Sequence, residues 1–399
     1  MRRTALVSSL LLCGVVVACT SQTNSRAIDT TTVPTSAETT TAAPTTTTPP
    51  ITATATVTTT AVADRVAQCV SSWPLHDRVA LLVWSAVYSA SWTTALHLVA
   101  ATGVGGVVLM APSDAFAGDL TRHIHELDAA ARHGVLVATD EEGGTVQRLS
   151  ALGSLASQSE MSRLPRAEVR QLLDTHAAVV AAAGVDVVLA PVVDVRPSSG
   201  TSPIGNSRLF AGNPKSVSEL ARLYVGAWES AGILPILKHF PGHGSATGDT
   251  HTSFATTPPL SQLRLRDLVP YAQLSTSGAG VMVGHLIVPG LTNGAPASLS
   301  PAAIHLLRTD YGYANALVIT DSLEMKAVGL SVPAAAVKAI AAGVDVVIFT
   351  RTSEAAGVIT ALVDAVHVGR LSETRINDAA TRVARTMEQH GMACRPQRP

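Results

Sequence analysis

Apolar and polar positions alternate in blocks along this chain, and one unit recurs: an amphipathic helical stretch, a glycine, then a short valine- and isoleucine-rich run. Leu120, Ile124, Leu127 and Ala131 share one face of a predicted helix that stops at Gly134, ahead of an apolar run at 135–139. Val169, Leu172, Leu173 and Val180 lead in the same way to Gly184 and the run 185–191. Val217, Leu220, Tyr224 and Trp228 lead to Gly232 and the run 233–237. Further runs stand at 281–283, 317–319 and 344–349, the last after a helical 334–342 and Gly343. Adding 104–110 and 79–83 gives eight predicted strands alternating with helices. Glycine after a helix accepts the left-handed backbone that turns the chain back. Strands apolar on both faces belong to a parallel sheet covered by helices. Eight such units predict an α/β fold, a closed (β/α)8 TIM-type barrel forming one domain over 64–395. A doubly wound open sheet is the alternative, but no glycine-rich phosphate loop opens its first unit.

The residues before 64 follow neither pattern. Arg2 and Arg3 precede an apolar stretch at 5–18, too short for a comfortable membrane span, so 1–19 reads as a signal peptide. Val16-Val17-Ala18-Cys19 resembles a bacterial lipobox, which makes Cys19 the expected lipidation site; plain secretion is the alternative. Residues 20–63 are rich in threonine and proline, with almost no charge over 30–60. Such a segment has too little apolar surface to offset its ordering entropy and is expected to be a disordered linker. Near polyproline geometry it would reach roughly 130 Å, enough to hold a domain away from a membrane and inside a cell wall. The expected location is therefore outside the cytoplasm, anchored to the cell membrane by lipid. With Cys13 in the signal peptide and Cys19 lipidated, Cys69 and Cys394 remain, one near each end of the folded part. In an exported chain that pair invites a disulfide clamping the termini; two free thiols are the other reading.

Composition narrows the partners. The 28 basic and 29 acidic side chains nearly cancel, which gives no electrostatic reason to expect nucleic acid. Aromatic residues are only 4% of the chain, so a compact pocket for one small group fits better than a long stacking cleft. No cofactor is implied, and a monomer is the default expectation.

In a barrel the working residues lie just beyond the strands' C-terminal ends. Asp140-Glu141-Glu142-Gly143-Gly144 follows the third run, with Gln147 and Arg148 after it. Asp194 and then Asn206-Ser207-Arg208 follow the fourth, and the fifth ends in Lys238-His239. The sixth ends in His285, the seventh in Thr320-Asp321-Ser322, the eighth in Thr350-Arg351. Lys238-His239-Phe240-Pro241-Gly242-His243-Gly244, with Asp249-Thr250-His251 shortly after, is the densest cluster. Two carboxylates, or a carboxylate and an imidazole, flanking a bond serve glycoside hydrolysis. Asp321 ends a strand and is held as a nucleophile should be. Asp249 and His251 point the same way on an extended loop, so the carboxylate can orient an imidazole that shuttles protons.

These residues resemble the family-3 glycoside hydrolases, in particular the single-domain β-N-acetylglucosaminidases, over about 81–387. Lys-His-Phe-Pro-Gly-His-Gly is unbroken at 238–244, and Asp249-Thr250-His251 stands where that branch has its Asp-Ser-His dyad. The resemblance implies that Asp321 is the nucleophile and that Asp140, Arg208, Lys238 and His239 bind sugar hydroxyls. It implies removal of terminal β-linked N-acetylglucosamine with retention, through a glycosyl-Asp321 intermediate. With export and the long linker, the expected substrates are peptidoglycan (muropeptide) fragments. Glu141 stands where the family usually has Gln, Ser322 where an acid follows the nucleophile, and Ser245 where an aspartate is common.

Other readings remain. A histidine acid/base does not repel an anion, so phosphate could replace water and yield a sugar phosphate; a β-glucosidase-type specificity is the other variant within the family. His239, His243, Asp249 and His251 could instead ligate a metal in a barrel hydrolase, although the Phe-Pro-Gly insertion breaks common zinc spacing. A sugar-binding lipoprotein without turnover is the non-enzymatic reading. Of the acids after the third strand only Asp140 is expected to bind substrate, Glu141 and Glu142 reading as strand caps. Asp194 and His285 are as well explained by hydrogen bonding behind the site, and Gly143-Gly144 by a tight turn.

Overall fold

The structure is a computed structural model that describes residues 65–88, 92–110, 119–392 and 394. The expected signal peptide, Cys19 and the linker lie outside the described residues. Eight parallel strands close into a barrel: β1 (Val83–Val87), β2 (Gly106–Leu109), β3 (Leu136–Thr139), β4 (Val187–Val188), β5 (Leu234–Phe240), β6 (Gly280–Val283), β7 (Val318–Ser322) and β8 (Val346–Phe349). Each pairs with its neighbours in sequence, and β1 closes on β8 through Val83↔Val347, Trp84↔Ile348 and Ser85↔Phe349. The strands are buried along almost their whole length, as their unbroken apolar runs require. Trp84, Trp228, Tyr224, Phe240 and Phe349 are among the largest of the fully buried side chains packing strands and helices into one core.

Three strand boundaries differ from the sequence pattern, each for a physical reason. The run 79–83 is not the first strand: Val79 and Ala80 end the helix Leu75–Ala80, and only Val83 is extended. Pro74 precedes that helix and Asp77 sits in its first turn, accepting from Arg132 at 2.8 Å and His133 at 3.0 Å. Val79, Ala80, Leu81 and Leu82 are all fully buried, and a short apolar run looks the same in either conformation. In the fourth run the regular strand is only Val187–Val188; Pro191 has no N–H to donate, and beyond it an isolated bridge joins Val192 to Lys238. The fifth strand instead runs three residues beyond 237, through Lys238, His239 and Phe240, with a register shift between Leu237 and Phe240. Such an irregularity re-aims side chains. Lys238 and His239, adjacent in sequence, both reach the cavity at the barrel mouth.

At the opposite end of the barrel, buried Asp345 at the foot of β8 accepts from Arg308 (2.6 Å), Arg375 (3.2 Å) and Arg382 (3.2 Å). These ties close the floor and leave the C-terminal face for chemistry.

Cys69 and Cys394 form a disulfide with Cα atoms 6.0 Å apart, closing a sequence separation of 325 residues. A cross-link over so long a loop restricts the unfolded chain strongly, worth about 2–5 kcal/mol. Replacing both cysteines by serine is expected to lower stability by that amount while leaving turnover at 25 °C intact. Denaturant titration of the two proteins checks this; coincident midpoints would refute the clamp.

Candidate active site

The site begins at the end of β3. Asp140 leaves the strand and a small hairpin follows, pairing Glu141–Gly143 with Val146–Gln147. Its turn demands glycine: Gly143 and Gly144 have φ of 87° and 60°, and a Cβ on Gly143 would lie 2.1 Å from the Ala156 carbonyl oxygen. The hairpin brings Arg148 back over Asp140, its backbone N–H donating to the Asp140 carbonyl (3.0 Å) and its guanidinium to the carboxylate (3.2 Å). Glu141 points away from the cavity into the protein, where it meets His176 at 2.8 Å and accepts from the backbone of Arg148 and Leu149. Glu142 does more than cap a strand. Fully buried, it accepts two hydrogen bonds of 2.8 Å from Arg208 and lies 2.7 Å from Lys238 Nζ. Lys238 in turn donates to Asp140 at 2.8 Å.

This network fixes its own charges. Burial pushes the Asp140 carboxyl up, but Lys238 and Arg148 outweigh it and hold it at about 2. Glu142 is likewise lowered, burial being overcome by Lys238 and Arg208. Lys238 and Arg208 move the other way: burial disfavours their charge and the carboxylates more than restore it, raising both.

The second wall comes from the segment after β4. Asp194, fully buried, accepts from the His239 backbone N–H (3.2 Å), from His239 Nδ1 (2.7 Å) and from the His243 backbone N–H (2.5 Å). Its carboxyl is lowered because the histidines outweigh burial, His239 most of all. Since an ionised carboxylate only accepts, Nδ1 of His239 carries the proton. His243 Nε2 meets Thr250 Oγ1 at 3.2 Å, and the Thr250 carbonyl accepts from the Ala327 backbone at 3.2 Å. The loop carrying 249–251 is thus stitched on one side to the β5 wall and on the other to the segment following β7.

On that loop Asp249 Oδ1 accepts from the His251 backbone N–H (2.9 Å) and from its ring Nδ1 (2.6 Å), leaving Nε2 free for other work. The pair is open to solvent, the side chains being 64% and 41% exposed for His251 and Asp249. Burial, His251 and His243 act together on Asp249, and the histidine contacts win, lowering it. Asp321, near the end of β7, accepts from the Ser322 backbone N–H at 2.8 Å. Burial opposes its ionisation, but His239, His285, the Ser322 N–H and Lys238 hold the carboxyl below its ordinary range. His285 braces this point: Nε2 donates to the Ser322 carbonyl (2.8 Å) and Nδ1 lies 2.7 Å from Ser298 Oγ. Burial pushes its ring toward the neutral form.

One cavity of about 510 Å³ joins these parts. Asp140, Arg208, Lys238, His239, His251 and Asp321 all line it, over a partly apolar surface that includes Ala86, Val108, Met282 and Ile348. Asp249 does not line it and stands behind His251. His239 is paired with Asp194 and His251 with Asp249, while the His243 ring meets Thr250. Among the described residues no three His, Cys, Asp or Glu side chains converge to hold a metal.

The sequence gives Glu142 only a strand cap's role and places Arg148 beyond the third strand without a role. Glu142 lies two residues beyond Asp140, on the same side of an extended segment, and that spacing was the available signal. Arg148 was reachable only through the hairpin, which the Gly143-Gly144 turn announces.

The chain's relationships agree with this layout. The model of the "Glycosyl hydrolase family 3 N terminal domain" matches residues 75–386. Beta-hexosaminidase LpqI of Mycobacterium tuberculosis is 40% identical over 269 residues, covering 65% of this chain and 69% of LpqI. A glycosyl hydrolase of the same family from Mycobacterium smegmatis superposes with a TM-score of 0.74 at 38% identity, over 79% of this chain and 98% of that structure. The Beta-N-acetylhexosaminidase of Beutenbergia cavernae does so with a TM-score of 0.73 at 28% identity, over 79% and 99%. Because the match runs through every barrel strand, this chain belongs to glycosyl hydrolase family 3.

Proposed function

We propose that the chain is a retaining exo-β-N-acetylglucosaminidase that takes terminal N-acetylglucosamine from peptidoglycan fragments outside the cytoplasm. The observation that carries this reading is the pairing, in one cavity, of a strand-held ionised carboxylate with a loop-held imidazole backed by its own carboxylate. The names of the relatives, beta-hexosaminidase and beta-N-acetylhexosaminidase, support the sugar. The cavity closes on the barrel's apolar interior, which suits one terminal residue and gives its acetamido methyl apolar neighbours. The N-terminal pattern of basic start, apolar core and Cys19 supports a lipid anchor that holds the domain facing the wall.

The chemistry follows from the two groups. Asp321 attacks the anomeric carbon as the bond to the leaving oxygen breaks, and protonated His251 gives its Nε2 proton to that oxygen. Asp249 stabilises the charged ring and keeps Nε2 aimed at the bond. The neutral imidazole then takes a proton from water, whose oxygen attacks the same carbon and releases Asp321 as carboxylate. Two inversions leave the β configuration unchanged. Asp140, Arg208, Lys238 and His239 hold the sugar hydroxyls, with Arg148 beside them.

Asp321→Ala is expected to lower kcat/KM on a chromogenic β-N-acetylglucosaminide by more than about a thousandfold. The native enzyme is expected to favour that substrate over the β-glucoside. Equal cleavage of the glucoside, or full activity in the variant, would overturn the reading. Product analysis in phosphate buffer is expected to give free sugar; a sugar phosphate would make phosphate the acceptor.

Glu142→Gln tests the buried grip. Removing one charge from a paired cluster costs about 3 kcal/mol or more. The variant should lose that much stability and raise KM about tenfold, read by denaturant titration and initial rates. An unchanged KM would separate Glu142 from substrate binding.

The pH dependence has a definite sign. Asp321 attacks only when ionised, and its folded value is depressed. The activity of the free enzyme should persist below the ordinary carboxylate range and fall as pH drops through the lowered value. A kcat/KM profile on an acid-stable substrate reads this limb; loss of activity already near pH 6 on that side would contradict it.

A further inference from the structure

The loop that carries Asp249 and His251 has a small core of its own. Ala246, Ala255 and Leu286 are buried together as a cluster separate from the main core of the barrel. The neck of the loop closes where the Thr247 backbone N–H donates to the Thr256 carbonyl at 2.8 Å, and Ala255–Thr256 pairs with Leu286–Ile287. Between those points 249–253 form one tight turn, the N–H groups of Thr252 and Ser253 both donating to the Asp249 carbonyl at 3.0 Å. Two alanines and one leucine bury little area, so the place of that turn depends on what touches it from the side. His243 Nε2 meets Thr250 Oγ1 at 3.2 Å, and the Ala327 N–H donates to the Thr250 carbonyl at 3.2 Å. Phe254, 58% exposed, brings the edge of its ring against Gly329. A Cβ at that glycine would lie 3.3 Å from Phe254 Cζ and 3.6 Å from Cε1.

We propose that Phe254 is a positioning residue: seated on Gly329, it docks the turn of Asp249 and His251 against the segment that leaves the nucleophile's strand. The proposal rests on the glycosidase reading of the same site and deepens it. That segment starts at Asp321 itself. Asp321, Ser322, Glu324 and Met325 line the cavity that Thr250 and His251 also line. Lys326–Val328 then makes a single turn, which Gly329 ends in the left-handed conformation with φ 67°. The loop's two contacts on this side, Thr250 to Ala327 and Phe254 to Gly329, therefore tie the proton donor to the chain that carries the nucleophile. Glycine is required at the seat twice over, for its backbone and because a Cβ would press on the ring. Asp249 Oδ1 holds both the backbone N–H and the ring of His251, so a shift of the turn carries Nε2 with it. A general acid works only within hydrogen-bond reach of its target, and a misplacement of about 1 Å can cost about 100-fold.

The test is Phe254→Ala in the full chain, read as kcat/KM on two β-N-acetylglucosaminides that differ in their need for a proton. Dinitrophenolate leaves without protonation; the oxygen of a methyl glycoside does not, and its methyl gives the Phe254 ring nothing to hold. The variant should lose about 10–100-fold on the methyl glycoside and stay within about twofold of native on the dinitrophenyl one. Gly329→Ala should give the same split, and the double variant no more, because both changes break one contact. Equal losses on the two substrates, or none on either, overturn the proposal. A loss confined to a disaccharide, with the methyl glycoside at its native rate, would make the ring a contact for the leaving sugar and overturns it too. If Gly329→Ala does not fold, Phe254→Ala alone decides. His251→Ala, assayed in parallel, should show the split more strongly. Its absence there sinks the glycosidase reading together with the proposal, whereas its presence there and absence in Phe254→Ala overturns the proposal alone.

Discussion

Everything at the mouth of this barrel depends on one buried ammonium. Lys238 is 2% exposed and sits between two carboxylates, 2.8 Å from Asp140 and 2.7 Å from Glu142. A lone lysine there would give up its proton rather than its hydration. Paired on both sides it stays charged, and it obliges Asp140 and Glu142 to stay charged with it. Arg208 completes the set from a loop distant in sequence, through a two-pronged contact to Glu142. Hence strands β3 and β5 and the loop carrying Arg208 share a single electrostatic solution. The cluster contributes little net stability for its desolvation, yet breaking any member leaves a charge stranded. What it supplies is a set of oriented donors and acceptors around an otherwise apolar pocket.

The two carboxylate–imidazole pairs divide the labour by mobility rather than by chemistry. His239 is held by a strand and by a buried acid, so its ring is fixed in the cavity wall. His251 is held only by its own loop, through an acid two residues away, and that loop is attached to the rest by contacts of Thr250. A proton donor for a leaving group has to accommodate whatever is attached to that group, and a nucleophile does not. The exposed pair suits the first requirement. The cluster of histidines at 239–251 is therefore two devices that happen to be adjacent in sequence.

How much of this was legible depended on the distance over which each cause acts. The barrel was readable because helix, glycine and apolar run are each local, and their repetition needs no knowledge of contacts. Strand β1 was not, since Val79 to Leu82 are buried as a helix end and a turn, and burial alone does not choose between periodicities over four residues. The residues lining the pocket were readable from their place at strand ends together with the motif at 238–244. Glu142 reads in the sequence only as a strand cap and Asp194 only as a group behind the site, because nothing near them in sequence reveals their partners. Glu142 meets residues 66 and 96 positions away, and Asp194 meets one 45 away. A carboxylate that contacts only protein looks the same in sequence as one that contacts substrate.

That last asymmetry has a consequence for how such barrels change. Residues touching the sugar are constrained by the ligand, but the acids behind them are constrained by the charges they balance. Replacing Arg208 or Lys238 alone would leave Glu142 one cation where it now has two, so the three positions are coupled. Asp249 is under no such constraint: its loss would leave His251 in water, where the unpaired ring is still solvated. The loop can therefore be remodelled for a different leaving group without disturbing the buried grip on the sugar. In this chain the loop of Asp249 and His251 carries a half-buried Ser245, bonded to Arg266, and an exposed Phe254, neither of them in the buried network. On the proposed function, specificity for the terminal sugar and specificity for what it is attached to are thus separable, because one is written in paired buried charges and the other in solvated ones.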